Sequence, residues 1–448
     1  MLTPSARRRF FAIGVTVASL ALVPPAAAQS TAQFPVQFNF LTPGARSMAM
    51  GGAFIGAADD ATAAFSNPAG LAFFGTVQVT FEGRGTRFET PFLAGGRVSG
   101  QTTGIGLDTI PGPVYEHDYD GHVRPSFAAV VIPFGGRSSF TAYRHELADI
   151  ANQFYSRGAF QRASFFGIVD DGNRDTPLGG RRSIRIATYG GAVGRSFKGE
   201  RLALGGGLSV STFRVDSRFA RFGFVSSIFG PDDPTIVSAT AVQTGDGAAV
   251  SGNVGAIWRS SGNRVSIGAV YRRGPSFTFT QNDRVPAADF SSTRVGRFKV
   301  PDVYAAGVAW ATSERLRVLF DYDRVQYSQV KADFIDFQAI ASGRSSRLSV
   351  ADADEVHGGV EYRTVVHGRP FAWRTGAWFD PDHSVRYTPT AAMDEFDALL
   401  SASLRQGKNL VHYTGGIGIG LPGRTVFDAA ADLSARTRAV TASFLVRF

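Results

Sequence analysis

Counting back from Phe448 in steps of two meets Val446, Phe444, Ala442 and Val440, all apolar. Arg447, Leu445, Ser443 and Thr441, mostly polar, stand between them. Successive side chains of a strand point to opposite faces. The pattern therefore predicts a strand with one face for lipid and one for a polar lumen. The same reading predicts strands at 77–87, 123–133, 138–146, 184–195, 202–215, 249–258, 264–277, 303–310, 316–325, 354–363, 371–379, 411–419, 424–433 and 440–448. Their number, fourteen, is even, as a single-chain membrane barrel with both termini on one side requires. The connections at 134–137, 196–201, 259–263, 311–315, 364–370 and 420–423 are short and rich in turn formers such as Gly135-Gly136. Those at 88–122, 147–183, 216–248, 278–302, 326–353 and 380–410 are long. Short periplasmic turns alternating with long outer loops are the habit of transmembrane barrels. The fold expected is an all-β antiparallel barrel of about 14 strands over 76–448.

Before the first strand, Gly44–Phe74 is small, Gly- and Ala-rich and nearly uncharged. It is too short for a domain and too apolar for a solvated linker, so 29–75 is read as a hatch inside the lumen. Gly51 and Gly52 allow backbone closed to other residues. Asp59 or Asp60 is expected to cap a short helix through Phe65. Pro68 disfavours helix at Asn67. The Asn67 side chain can bond its own backbone or a strand bared by a bend, with Ala69 and Gly70 completing the turn. Glycines within the strands, such as Gly205-Gly206-Gly207, are not followed by helices. They suit close approach of an inner plug better than a phosphate-binding loop.

At the start, Arg7-Arg8-Arg9, an apolar run and Ala26-Ala27-Ala28 form a secretory signal pattern over 1–28. Taking those three arginines from the net charge of +9 leaves +6 on the mature chain. The arginines are scattered rather than clustered, which argues against nucleic acid and for anionic lipid headgroups or solutes. There are no cysteines to staple the chain.

The long connections carry unusual apolar weight. Phe154, Phe160, Phe165 and Phe166 lie in one, and Phe219, Phe222, Phe224 and Phe229 in the next. Phe396, Leu399, Leu400 and Leu404 have helical spacing in a third. The expectation is either a greasy groove that collects apolar ligands or a roof of loops packed on each other. A carboxylate head on a ligand would want an arginine; Arg144, Arg185, Arg214 and Arg317 are the strand candidates, Arg144 foremost. Glu116–His122 reads as a solvated acidic loop, and no metal site or cofactor is assigned. His145-Glu146 has no serine motif beside it, and no enzyme is expected.

Three blocks resemble the FadL/TodX-type family of outer-membrane hydrophobic-compound transporters. MGGAFIGAADDATAAFSNPAGLA at 50–72 resembles the family's hatch, including its Asn-Pro-Ala element at Asn67, Pro68 and Ala69. VPDVYAAGVAWATSERLRVLFDYDRV at 300–325 resembles a strand–turn–strand block. VHGGVEYRTVVHGRPFAWRTGAWFDPD at 356–382, with the closing strands, resembles its end. The resemblance implies an outer-membrane location and passive uptake of long-chain fatty acids or other hydrophobic molecules. Capture by the apolar loops, a shiftable hatch and a lateral exit beside a kinked third strand, here near 138–146, would follow. Phe444, Val446 and Phe448 would form the signal read by the barrel-assembly machinery. The partners expected are a hydrophobic ligand and outer-membrane lipid, with a monomeric barrel. The alternative is a barrel that scaffolds or shuttles secreted proteins.

Overall fold

The computed structural model describes residue 40 and residues 42–165, 168–174, 177–197, 199–222, 237–285, 290–330, 345–391, 393, 395–405 and 407–448. The expected signal segment 1–28, the first part of the expected hatch (29–39), Phe166, Phe224, Phe229 and the side chain of Phe165 lie outside the described residues.

Fourteen strands form a closed antiparallel wall. They are β1 (Gln78–Gly96), β2 (Pro113–Phe134), β3 (Ser138–Ser156), β4 (Leu178–Phe197), β5 (Leu202–Phe222), β6 (Val237–Arg259) and β7 (Val265–Arg273). After a hairpin of β8 (Ser276–Val285) and β9 (Phe290–Lys299) come β10 (Val303–Ala311), β11 (Leu316–Val325), β12 (Ala353–Val366), β13 (Arg369–Asp380), β14 (Leu410–Leu421), β15 (Thr425–Leu433) and β16 (Thr437–Arg447). Neighbours pair in chain order, β7 pairs with β10, and β1 pairs with β16 to close the ring. Closure leaves no edge for lipid to meet. Outward positions such as Phe81, Val254, Trp310, Phe320, Trp373 and Phe444 are exposed and apolar, whereas inward Thr80, Asp321, Glu361 and Ser443 are buried. No helix among the described residues is long and apolar enough to cross a membrane.

All fourteen expected strands are present. Four expected loops are not loops throughout. The wall strands β1 to β6 continue well into 88–122, 147–183 and 216–248, each reaching 19 residues or more. Most of the expected loop 278–302 is the β8–β9 hairpin. It breaks away from β7 at Gly274-Pro275, where proline lacks the N–H a central strand needs. The hairpin brings Phe277 and Phe298 against Phe213 of β5, each ring centroid 5.2 Å away.

The roof is completed by α3, the helix Glu395–Ser403 that leucine spacing predicts; the helices α1 and α2 precede it in the hatch and are described below. Leu399 packs with Leu93 and Ala159, while Leu400 and Leu404 pack on Tyr387.

Candidate functional site: a floored lumen beside a breach in its wall

The floor of the lumen is built by residues 42–74. It consists of α1 (Ala45–Ala49), α2 (Ala63–Ser66) and a 3₁₀ turn at Pro68–Phe73. Alanine and glycine dominate because the wall comes so close. A Cβ on Gly205 would stand 2.2 Å from the carbonyl carbon of Pro68, and one on Gly255 would stand 2.1 Å from Asn67 Oδ1. On the opposite side a Cβ on Gly376 would stand 2.4 Å from the Gly51 nitrogen. The strand glycines thus seat the floor.

Each expected hatch residue has a definite place. Gly51 and Gly52 have φ of 68° and 81°, the left-handed region that glycine favours. The Gly51 nitrogen donates to Thr414 Oγ1 at 2.9 Å, and its carbonyl accepts from His357 Nδ1 at 2.7 Å. Asn67 is fully buried. Its Nδ2 donates to the carbonyls of Ile55 (3.1 Å) and Ala256 (3.3 Å), and its Oδ1 accepts from Ala69 N at 3.2 Å. It therefore bonds both its own turn and a wall strand; that strand is β6, not the third strand. Pro68 opens the 3₁₀ turn. A Cβ on Gly70 would lie 2.0 Å from the Ala58 carbonyl oxygen.

The two aspartates are not helix caps. The N-cap of α2 is Thr62, without a side-chain capping bond. Asp60 accepts from Thr62 N at 3.0 Å just before it. Asp59 turns instead to Arg46 (2.6 Å) and Arg317 (2.8 Å). Arg46 also reaches Glu361 at 2.9 Å, and Glu361 meets Arg374, again at 2.9 Å. The result is an ionic bolt from floor to wall. Burial pushes the Asp59 carboxyl up, but Arg46 and Arg317 overcome it and hold it well below the usual carboxylate range. Asp321, buried on β11, accepts from Ile55 N at 2.7 Å. Sequence reading missed these wall partners, since nothing local distinguishes them from other lumen-facing charges.

Above the floor lie two adjoining cavities of about 170 and 120 Å³. Phe40, Thr42, Arg272, Glu355 and Trp378 border both. The smaller one is largely apolar, walled by Phe65, Leu147, Val300, Pro301 and Val325. The larger one runs from Met48 and Phe54 at the floor up to Asp120, His122 and Asp149.

Those last residues mark a breach in the wall. Among the described residues, β2 and β3 are paired only between Phe127–His145 and Phe134–Ser138. Beyond that point β2 pairs with β1 alone and β3 with β4 alone. Each strand has a register shift at the parting, between Glu82 and Gly83 opposite β2 and between Glu146 and Ala148 in β3. Such bulges re-aim a strand. Side chains span the gap instead of the ladder: Asp118 accepts from Gln153 N at 2.6 Å, and Glu116 pairs with Arg157 at 2.8 Å. His122 lies 3.5 Å from Asp149. The acidic stretch Glu116–His122 is therefore strand, not loop. Where pairing ends, Phe65 of the floor packs against His145 with tilted rings, centroid to centroid 4.6 Å, and Phe127 lies 6.2 Å beyond. Floor and breach share one contact.

The phenylalanines expected to form one exposed groove are divided. Phe154 and Phe219 are buried with Phe92 at the upper mouth of the lumen. Phe222 meets the half-exposed Tyr155 edge-on. Phe160 lies between Arg97 and Arg174. The reason is that β3 and β5 continue as strands, so their alternate residues part to opposite faces. Arg144 does not face the cavities: it donates to the Pro125 carbonyl at 2.6 Å and pairs with Glu146 on the wall's outside. Arg317 is engaged by Asp59. Phe444 is exposed on β16 beside Phe427, and Val446 and Phe448 follow it.

No protein-family model matches the chain, and no curated protein matches its sequence. The fold does have solved counterparts. A Pseudomonas aeruginosa FadL homologue superposes with a TM-score of 0.56 at 14% identity, over 92% of this chain and 98% of that one. The Ralstonia pickettii toluene transporter TbuX gives 0.55 at 14% identity, over 92% and 100%. The Pseudomonas putida toluene transporter TodX gives 0.52 at 11% identity, over 87% and 94%. The chain has the FadL-type fold, a transmembrane barrel of the outer-membrane kind.

Proposed function

We propose that the protein is an outer-membrane transporter for passive entry of small hydrophobic molecules. The observation that carries this reading is the continuity of the floored cavity with the breach between β2 and β3. The parting starts at His145, in register with Thr188 and just below the level of Arg185, so a molecule leaving at its lower end enters the upper edge of the lipid layer without crossing the floor. Structural counterparts described as toluene transporters support the same class of cargo. Cavity size narrows it: about 150 Å³ is enough for benzene in an apolar protein cavity. Single-ring hydrocarbons and short chains suit the 170 and 120 Å³ spaces; a long-chain fatty acid needs the floor to move first.

Cargo enters at the mouth past Phe92, Phe154 and Phe219, rests above Phe54 and Phe65, and exits through the breach. Gating falls to Phe65, because it touches His145 at the parting of the strands. Only cargo that binds better when Phe65 is displaced drives that motion. The chain has no cysteines, so Asp118→Cys with Gln153→Cys is a clean staple across the breach. Oxidation is expected to cut toluene uptake into vesicles by about tenfold or more, with recovery on reduction. Unchanged uptake in the stapled barrel rules out lateral exit here.

A further inference from the structure

The outer surface beside the breach carries a second constellation. Three neighbouring strands bring charge into one row: Asp149 of β3 opposes Arg185 of β4, Arg185 opposes Arg214 of β5, and Arg214 opposes Asp246 of β6. Arg185 and Arg214 point outward, because their strand neighbours Ile184, Ile186, Phe213 and Val215 are buried inside. Arg144 joins them from β3, and Arg124 reaches in from the far lip of the breach. Together these four arginines border an open groove of about 670 Å³.

Two of the acids lie beneath the arginines, while Asp246 is exposed at the end of the groove beyond Arg214. The Glu146 and Asp149 side chains are 8% and 2% exposed, against 30% for Arg144 and 48% for Arg185. Buried carboxylates hold the cations in place while the guanidinium groups form the surface. Two arginines directly opposite each other on a sheet repel. An anion between Arg185 and Arg214 relieves that repulsion, and phosphate oxygens match the guanidinium fork.

Height decides which anion. Below the row the outward face is apolar, apart from Arg195 lying over Phe197 at its foot, from Tyr189, Val210 and Val250 down to Phe197, Leu204 and Trp258. At about 3.3 Å per residue and a tilt of about 40°, Arg185 stands roughly 30 Å above Phe197. That is just beyond the ~25 Å apolar band of an outer-membrane barrel. We infer that Arg124, Arg144, Arg185 and Arg214 form a binding site for the phosphate monoester headgroup of a membrane lipid, seated at the outer lip of the breach.

The test is native mass spectrometry of the purified barrel offered equal amounts of phosphatidic acid and phosphatidylcholine. Wild type is expected to retain phosphatidic acid about tenfold over phosphatidylcholine. Arg185→Gln with Arg214→Gln loses the preference, while Arg185→Lys with Arg214→Lys keeps most of it. The heat-dependent gel mobility of a folded barrel is checked for each variant. Equal retention of the two lipids by wild type, or an undiminished preference in the Gln variant, overturns the assignment. Displacement of the lipid by excess inorganic phosphate that itself stays bound also overturns it, in favour of a soluble anion.

Discussion

The two sides of the floor are held by different forces. On the side of β11 to β15, buried charge joins it to the wall through Arg46, Asp59, Arg317, Glu361, Arg374 and Asp428. On the side of β3 to β7, the contacts include the close approach at Gly205 and Gly255, the amide bonds of Asn67 and Asn253, Phe65 on His145, and the Arg272 guanidinium on the Ser66 carbonyl rather than on a carboxylate of the floor. Removing one partner from a buried ion pair leaves the other uncompensated, whereas packing and neutral hydrogen bonds yield in small steps. The first side is the stronger anchor, the breach lies on the second, and the proposed gating motion belongs to that second side.

The comparison is tested hardest at the anchor. Glu361→Gln leaves Arg46 and Arg374 short of a carboxylate and is expected to cost about 3–5 kcal/mol, read as a lower midpoint of heat-dependent gel mobility. A midpoint unchanged from wild type dissolves the distinction between the two sides. Gly255→Val comes next: its Cβ overlaps Asn67 Oδ1, and overpacking of this kind costs about 1–3 kcal/mol. The floor is expected to unseat on the β6 side, which single-channel recording reads as new ion conductance. Asn67→Ala is milder: losing hydrogen bonds to two buried carbonyls should weaken the floor's seat by about 1–2 kcal/mol and speed toluene uptake. Slower uptake contradicts a movable side.

The smallest effect concerns the roof, which stands apart from both sides. Burial pushes the His383 imidazole down, but Asp380 at 3.1 Å raises it, to about 9 from 6.5. A raised value adds stability that is complete below pH 6.5 and lost as pH climbs through 9. Amide protection in the 381–391 segment, after correction for intrinsic base-catalysed exchange, should therefore fall between pH 6.5 and 9.5 in wild type, and that fall should vanish in His383→Gln.

Much of this was readable in the chain. Alternation at period two placed every wall strand, because a membrane barrel requires apolar and polar residues to take turns. Gly51, Gly52 and Pro68 announced the floor through backbone preferences that act locally. The partner of Asn67 was not readable, since Ala256 lies far along the chain and any strand carbonyl looks alike in sequence. Nor was the facing of Phe154 and Phe219, because it depends on how far β3 and β5 continue and on the shift between Glu146 and Ala148. A one-residue bulge exchanges the faces of everything beyond it. Arg144, Arg185 and Arg214 are outer-surface residues rather than ligand contacts because they alternate with the buried Tyr143, His145, Ile184, Ile186, Phe213 and Val215.

Sequence alone thus determined that the wall is a barrel, how its strands are ordered, and that a small-residue segment fills it. Those properties follow from periodicity, turn chemistry and side-chain volume, all of which are local. The tertiary structure decided where the wall parts, which contact joins floor to breach, and which charges meet. Each of these depends on register and bulges between strands distant in the chain, and register is set only when the whole ring closes.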